Sequence, residues 1–353
     1  MLPYFLILII CTVLAALAHR FRGVPFLSGV LLLLLFLVLV IPAGIRDLSV
    51  GSDTGNYRDM FIYKRGALSL ANFIGGIEPG FVIFQNIMQH LTTSFTLYLF
   101  SIATLVIGLH LRIFKKLSSH LGISIFVFIA LGVYLFFFNG ARQAMAASIY
   151  GFAIFALLDK KPLKYVLITL LAITFHKSAI IMLPMYFVLV MPFSPKQFLL
   201  LVLFTFFFTN GLSIVMNLAP DLVHQKYANY NNRTSGGGVI LMVVYSAMTF
   251  VFFLFRGTIN KDDLRKYNVF LNYAIFTSLV YIMVNLFGQD VNLIRFTLYA
   301  SFGFVLIWPI VLKDVPLFKS IIPWSFFVIS HLIFFYIYIS KMITPYFVNP
   351  DLL

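Results

Sequence analysis

Cysteine is almost missing from this chain. Cys11 is the only one among 353 residues, which excludes a disulfide within the chain and a thiolate metal site. Charge is also scarce, at 10% of residues, and acidic groups are the scarcest part of it, 11 against 25 lysines and arginines. A formal net charge of +14 would ordinarily suggest nucleic acid as a partner. Here the basic residues sit in short gaps between apolar runs and form no stripe along a soluble surface, so that partner is excluded. No P-loop, zincin or dinucleotide fingerprint occurs. The Asp262–Asp263 pair stands in a basic loop and is not read as a metal site.

What the chain has in abundance is hydrophobicity: 61% of its residues, with a mean hydropathy of +1.01. That excludes an ordinary soluble domain. A bilayer core takes about 20 apolar residues per helix. Only helices and closed barrels satisfy every backbone donor and acceptor in lipid. The unbroken run Val30–Ile41 lacks the alternation of barrel strands. The expectation is an all-α integral membrane protein, a single polytopic domain over residues 1–353. About twelve transmembrane helices are predicted, near 2–18, 24–43, 95–113, 120–138, 143–158, 163–176, 178–194, 197–215, 239–255, 268–287, 293–312 and 320–340. The pair at 163–176 and 178–194 is short and nearly fused, which suits a hairpin or a broken helix. No basic residue precedes the run Leu2–Ala18, while His19, Arg20 and Arg22 follow it. That polarity suits an uncleaved anchor with its N-terminus outside.

Five basic clusters fix the orientation: Arg20/Arg22, Arg112/Lys115/Lys116, Lys160/Lys161/Lys164, Arg256/Lys261/Arg265/Lys266 and Lys313/Lys319. All fall on one side if residues 77–92 do not cross fully. That segment carries Glu78, Gln85, Asn86, Gln89 and His90, and reads as a re-entrant or interfacial helix. A full crossing would invert the topology before it. The opposite face then collects outer loops 44–76 and 216–238, the turns at 139–142, 176–177 and 288–292, and residues 341–353.

The residues with chemistry gather there. In Arg46–Tyr57, glycines 51 and 55 allow tight turns, while Arg46, Asp53 and Tyr57 offer a cation, a carboxylate and a hydroxyl; alternatively Asp53 or Thr54 simply starts a helix. In Glu78-Pro79-Gly80-Phe81, Pro79 suits a first helical position and puts Glu78 at an electropositive helix end. The carboxylate is either a helix-start device or a group held at a cavity mouth to contact sugar hydroxyls or take a proton. Arg142, followed by Gln143 and a run of small residues, opens a helix. There it either snorkels or binds phosphate oxygens beside the helix-terminal N–H groups. His176 and Lys177 interrupt two apolar runs; an imidazole at that place is a candidate general base, or part of an exposed turn. Arg295 lies about a turn inside the eleventh span, with Tyr299 expected on the same helical face and Asp290 or a ligand phosphate as its partner.

Taken in order, Arg46…Gly51-Ser52-Asp53-Thr54…Tyr57, Glu78-Pro79-Gly80-Phe81, Arg142-Gln143, Phe175-His176-Lys177-Ser178-Ala179 and Arg295 resemble the EpsG-like branch of the Wzy-type bacterial polysaccharide polymerases. The resemblance implies a GT-C-like, multi-pass inner-membrane glycosyltransferase acting on the periplasmic side. Such enzymes move a growing glycan from undecaprenyl diphosphate onto another undecaprenyl-diphosphate-linked repeat unit, lengthening O-antigen or capsule. They use no nucleotide-sugar donor, cofactor or metal, and can work with a chain-length regulator. The implied roles are Arg142 and Arg295, supported by Arg46, on the diphosphate; His176 or Glu78 as base; and Asp53, Tyr57 and Gln143 on sugar. A lipid-linked oligosaccharide flippase is the main alternative. It should place charges deep in several spans and show repeated halves, neither of which is evident.

Overall fold

The computed structural model describes residues 1–63, 78–218, 237–289 and 291–350. Parts of both expected outer loops, and Asp290, lie outside those residues. Among the described residues the regular structure is helical, apart from one antiparallel bridge between Arg46 and Val348. Helices α1 (Leu2–Arg20), α2 (Pro25–Gly44), α3 (Thr54–Tyr63), α4 (Pro79–Leu91), α5 (Phe95–Leu117), α6 (Leu121–Ala130), α7 (Val133–Asn139), α8 (Ala141–Tyr150), α9 (Ala153–Leu158) and α10 (Pro162–Phe175) follow one another. Then come α11 (Met182–Leu189), α12 (Pro195–Leu218), α13 (Gly237–Phe255), α14 (Lys261–Leu286), α15 (Phe302–Asp314) and α16 (Ile321–Met342). The chain forms two compact units, one of Met1–Leu183 with Trp308–Leu353, the other of Pro184–Ile307.

Seven described helical segments, one of them α8 and α9 together (Ala141–Leu158), are long and apolar enough to cross a membrane, and up to nine spans result if each of two bent helix pairs is one span. The protein is thus a helical membrane protein. Two of the expected twelve fall outside that count for a physical reason. The apolar segments at 162–175 and 177–189 form short helices, below the roughly 17 residues a crossing needs. The 24-residue α12 has side chains described only as far as Gly211. At 13 residues α4 is also too short to span, in keeping with the re-entrant or interfacial reading.

In the first unit, small residues let helices approach closely. A Cβ on Gly122 of α6 would fall 2.8 Å from the Ala16 side chain of α1, which is how membrane helices pack when hydrophobicity alone cannot drive them together. Leu2, Leu6, Ile9 and Val13 form an exposed stripe at helical spacing on α1, while Tyr4, Leu8, Cys11 and Ala15 face the bundle. The α6–α7 pair bends by 47° at Gly132, whose φ of +75 is left-handed and whose missing side chain leaves room for the Tyr338 ring. In the second unit Asn272 of α14 donates to the carbonyls of Leu189 (3.1 Å) and Met191 (2.9 Å). The Leu189 carbonyl is one that the end of α11 leaves unpaired, and Met191 lies in the bend just beyond it.

The loop after α2 is built rather than loose. Gly51 has φ +92, and a Cβ there would lie 2.4 Å from the Phe138 carbonyl oxygen. Beside it, Ser52 N–H donates to Asn139 Oδ1 at 2.9 Å. Gly51→Ala meets both a left-handed backbone and a backbone clash. It is expected to cost at least about 1–2 kcal/mol of stability, seen as a lowered thermal unfolding midpoint in detergent; an unchanged midpoint contradicts this packing.

Candidate active site

Glu78, Arg142 and His176 come from three separated segments of the first unit. Glu78 is the N-cap residue of α4, with Pro79 in the first turn as the sequence predicts. Its side chain makes no capping bond. One carboxylate oxygen instead accepts from Arg142 Nη1 at 2.7 Å and the other from His176 Nδ1 at 2.8 Å. The Glu78 side chain is 7% exposed, against 35% for Arg142 and 22% for His176. A buried carboxylate therefore holds two more accessible donors, a bidentate-capable cation and an imidazole.

Local structure explains why they meet. Arg142 is the second residue of α8, and its backbone N–H, one that the helix leaves without an internal acceptor, donates to the Tyr57 hydroxyl at 3.3 Å. The guanidinium lies 5.8 Å over the Phe81 ring, which packs 6.2 Å from Tyr57. His176 ends α10 in an extended conformation before the 3-10 turn Lys177–Ile181. A Cβ on Gly80 would lie 2.4 Å from Thr174 Oγ1 and 3.0 Å from the Phe175 ring. Glycine there lets the start of α4 pack on the end of α10 without displacing these side chains.

Burial pushes the Glu78 carboxyl up, but the hydrogen bond from His176 and the charge of Arg142 outweigh it, leaving it at about 2 against an ordinary 4.5. Glu78 is therefore ionised at neutral pH and accepts only. The proton of the shared bond sits on His176 Nδ1, and in the neutral imidazole that tautomer leaves Nε2 with a lone pair. A depressed carboxyl stabilises the fold in full above its unfolded value and loses that contribution as pH falls toward 2. Acid titration of wild-type protein should lower the unfolding midpoint between about pH 4.5 and 2 more steeply than in Glu78→Gln. Parallel curves would contradict the shared ion pair.

The other expected site residues are placed differently. Tyr57 joins the cluster, and burial raises its hydroxyl above the ordinary value, so it keeps its proton. Asp53 is half-buried, with Oδ1 accepting from Ser52 Oγ at 3.4 Å. Gln143, expected to contact sugar, is 4% exposed, because it faces the bundle on a helix whose other residues are nearly all buried. Arg46, expected as a supporting diphosphate contact, is 5% exposed. Its guanidinium donates to the Ala43 carbonyl and to Thr54 Oγ1, and lies 5.0 Å over the Phe138 ring. Burial lowers it only to about 10, so it stays charged and braces the loop. Arg295 belongs to the second unit, exposed on the 3-10 helix Val291–Ala300. In a 3-10 helix side chains three apart eclipse, so Tyr299, four on and fully buried, does not share its face. Sequence reasoning put Glu78, Arg142 and His176 into one reaction on one face, together with Arg295, but did not pair the carboxylate with the arginine and the imidazole. It also missed the part of Asn139 in holding the loop. Among the described residues no group of three or more metal-ligating side chains occurs.

A helical membrane protein with a cation, a carboxylate and an imidazole in one cluster is thus defined by its fold and site. Residues 29–348 match the EpsG family model, and the chain belongs to the EpsG family, which is related to the Wzy-like polymerases. No curated protein and no solved structure matches the chain.

Proposed function

We propose that this protein is a polyprenyl-diphosphate-dependent glycosyltransferase that joins lipid-linked oligosaccharide repeat units into O-antigen or capsular polysaccharide. It would act in the bacterial inner membrane, with its chemistry on the periplasmic side. The observation that carries the reading is the sharing of the Glu78 carboxylate between Arg142 and His176.

The acceptor hydroxyl attacks the anomeric carbon of the donor glycan, forming the new glycosidic C–O bond as the bond to the lipid diphosphate breaks. The electron pair leaves with the diphosphate. Arg142, fixed at a helix start, stabilises that growing negative charge before any rearrangement is needed. The acceptor proton goes to Nε2 of His176. Glu78 is too weakly basic at about 2 to be that acceptor, and both its oxygens are engaged. Its role is to fix the imidazole tautomer and orientation, as a carboxylate does in hydrolase triads. Tyr57, expected on sugar, is as buried as Gln143 and holds the helix start through the Arg142 N–H, and half-buried Asp53 is the remaining sugar candidate. Arg295 remains a separate phosphate-binding candidate, tested on its own by Arg295→Ala. Holding two lipid-anchored substrates in register would supply much of the remaining acceleration.

Purified protein incubated with a synthetic lipid-diphosphate repeat unit and no nucleotide sugar should produce a ladder of lengthened products. Substrate that only changes leaflet would instead identify a flippase and overturn this reading.

A further inference from the structure

The segment after α16 takes no part in the chemistry above, yet it is laced through the loop that carries Arg46 and leads into α3 with Tyr57. Asp47 N–H donates to the Phe347 carbonyl at 2.9 Å, and Asn349 N–H donates to the Ile45 carbonyl at 2.8 Å. These two bonds flank the Arg46–Val348 bridge, the one piece of strand pairing among the described residues. Tyr346 donates its hydroxyl to the Pro42 carbonyl at 3.0 Å, and its ring stands edge-on to Tyr4 at 6.0 Å. Thr344 accepts twice, its carbonyl from the Tyr4 hydroxyl at 2.9 Å and its Oγ1 from Gly51 N–H at 3.4 Å. Asn349 Nδ2 reaches Thr96 Oγ1 at 3.4 Å. Burial raises the Tyr346 hydroxyl to about 12, so it remains a donor at any physiological pH.

The held loop is continuous with the site. Arg46 binds Thr54, Gly51 packs on the Phe138 carbonyl and Ser52 binds Asn139. Phe138 and Asn139 close α7 just before Arg142 opens α8. Thr54 starts α3, which carries the Tyr57 hydroxyl to the Arg142 N–H. Apart from the exposed Ser52–Asn139 bond, each link is a buried or half-buried hydrogen bond or a close backbone contact, so a shift of the segment has a direct path to Arg142.

We infer that residues 344–349 are a positioning strap for the Glu78–Arg142–His176 site, with Tyr346 and Asn349 as its fastening points. The inference rests on the reading of that site as a glycosyltransferase centre. Small displacements of a catalytic constellation cost as much as about 100-fold in rate, so a strap of this kind should show in turnover more than in substrate affinity.

The test compares full-length Asn349→Pro, which lacks the backbone N–H, with Asn349→Ala, which keeps it, and with Tyr346→Phe. Hydrogen exchange and elongation kinetics are measured on each variant after confirming wild-type amounts of folded protein. Asn349→Pro should speed amide exchange across residues 46–57 and at the first turn of α8. It should also lower kcat by about 10-fold or more with a smaller change in KM. Tyr346→Phe should show a weaker form of both effects, and Asn349→Ala should stay near wild type. Wild-type exchange in Asn349→Pro overturns the strap, as does faster exchange in 46–57 with the α8 turn and kcat both unchanged. If the wild-type protein elongates nothing, the proposed function fails, and the exchange at the α8 turn alone decides the strap.

Discussion

Arg142→Ala should abolish detectable polymer while leaving protein in the membrane. Removing one preorganised donor to a developing anion costs about 100- to 1,000-fold in turnover. This variant also strips Glu78 of its cation at 2.7 Å and leaves a 7%-exposed carboxylate bonded to His176 alone. Losing one partner of a buried pair is strongly destabilising, but Arg142 is 35% exposed, and water reaching the gap tempers that cost. The two effects separate in Arg142→Lys. A lysine keeps the charge and can hold Glu78, yet it lacks the planar fork that grips two phosphate oxygens. Near-normal stability with strongly reduced chain elongation is therefore expected for lysine. The readouts are lipid-linked glycan length on gels and the unfolding midpoint. Wild-type chain lengths in Arg142→Ala would remove this arginine from the mechanism.

His176→Ala should slow elongation by about 100- to 10,000-fold, the usual contribution of a positioned general base. Glu78 and Arg142 remain paired in that variant, so stability should fall less than in Arg142→Ala. Full activity would show that the acceptor hydroxyl needs no base at this position. A fall in KM-limited rate alone, with kcat preserved, would make His176 a binding group.

Much of the fold was legible because hydrophobic runs of helical length have few structural options in lipid. Each of the predicted apolar segments coincides with described helix, including the bent pair at Leu121–Asn139. The short pair near 163–194 was also visible in the sequence, though both members were still counted as spans. The helix ends were also readable: Pro79 placed Glu78 at an N-cap, and Arg142 stands where a helix begins. The contacts across the site were not readable, because Glu78 meets Arg142 across 64 positions and His176 across 98. No local periodicity encodes such pairings. Arg46 has surroundings that its sequence position did not announce. Its place beside a polar loop suggested a ligand contact, whereas Ala43, Thr54 and Phe138 enclose it. Arg295 and Tyr299 were placed on one face by assuming 3.6 residues per turn, and the chain adopts a 3-10 helix there.

The central claim is that Glu78 serves the reaction through His176. Elongation rates of wild type, Glu78→Gln, His176→Ala and the double variant, taken on one lipid-diphosphate substrate, test it most directly. Groups that act as a unit are strongly non-additive, so Glu78→Gln should slow the wild-type enzyme markedly and add almost nothing once His176 is gone. Full additivity of the two losses would contradict the claim.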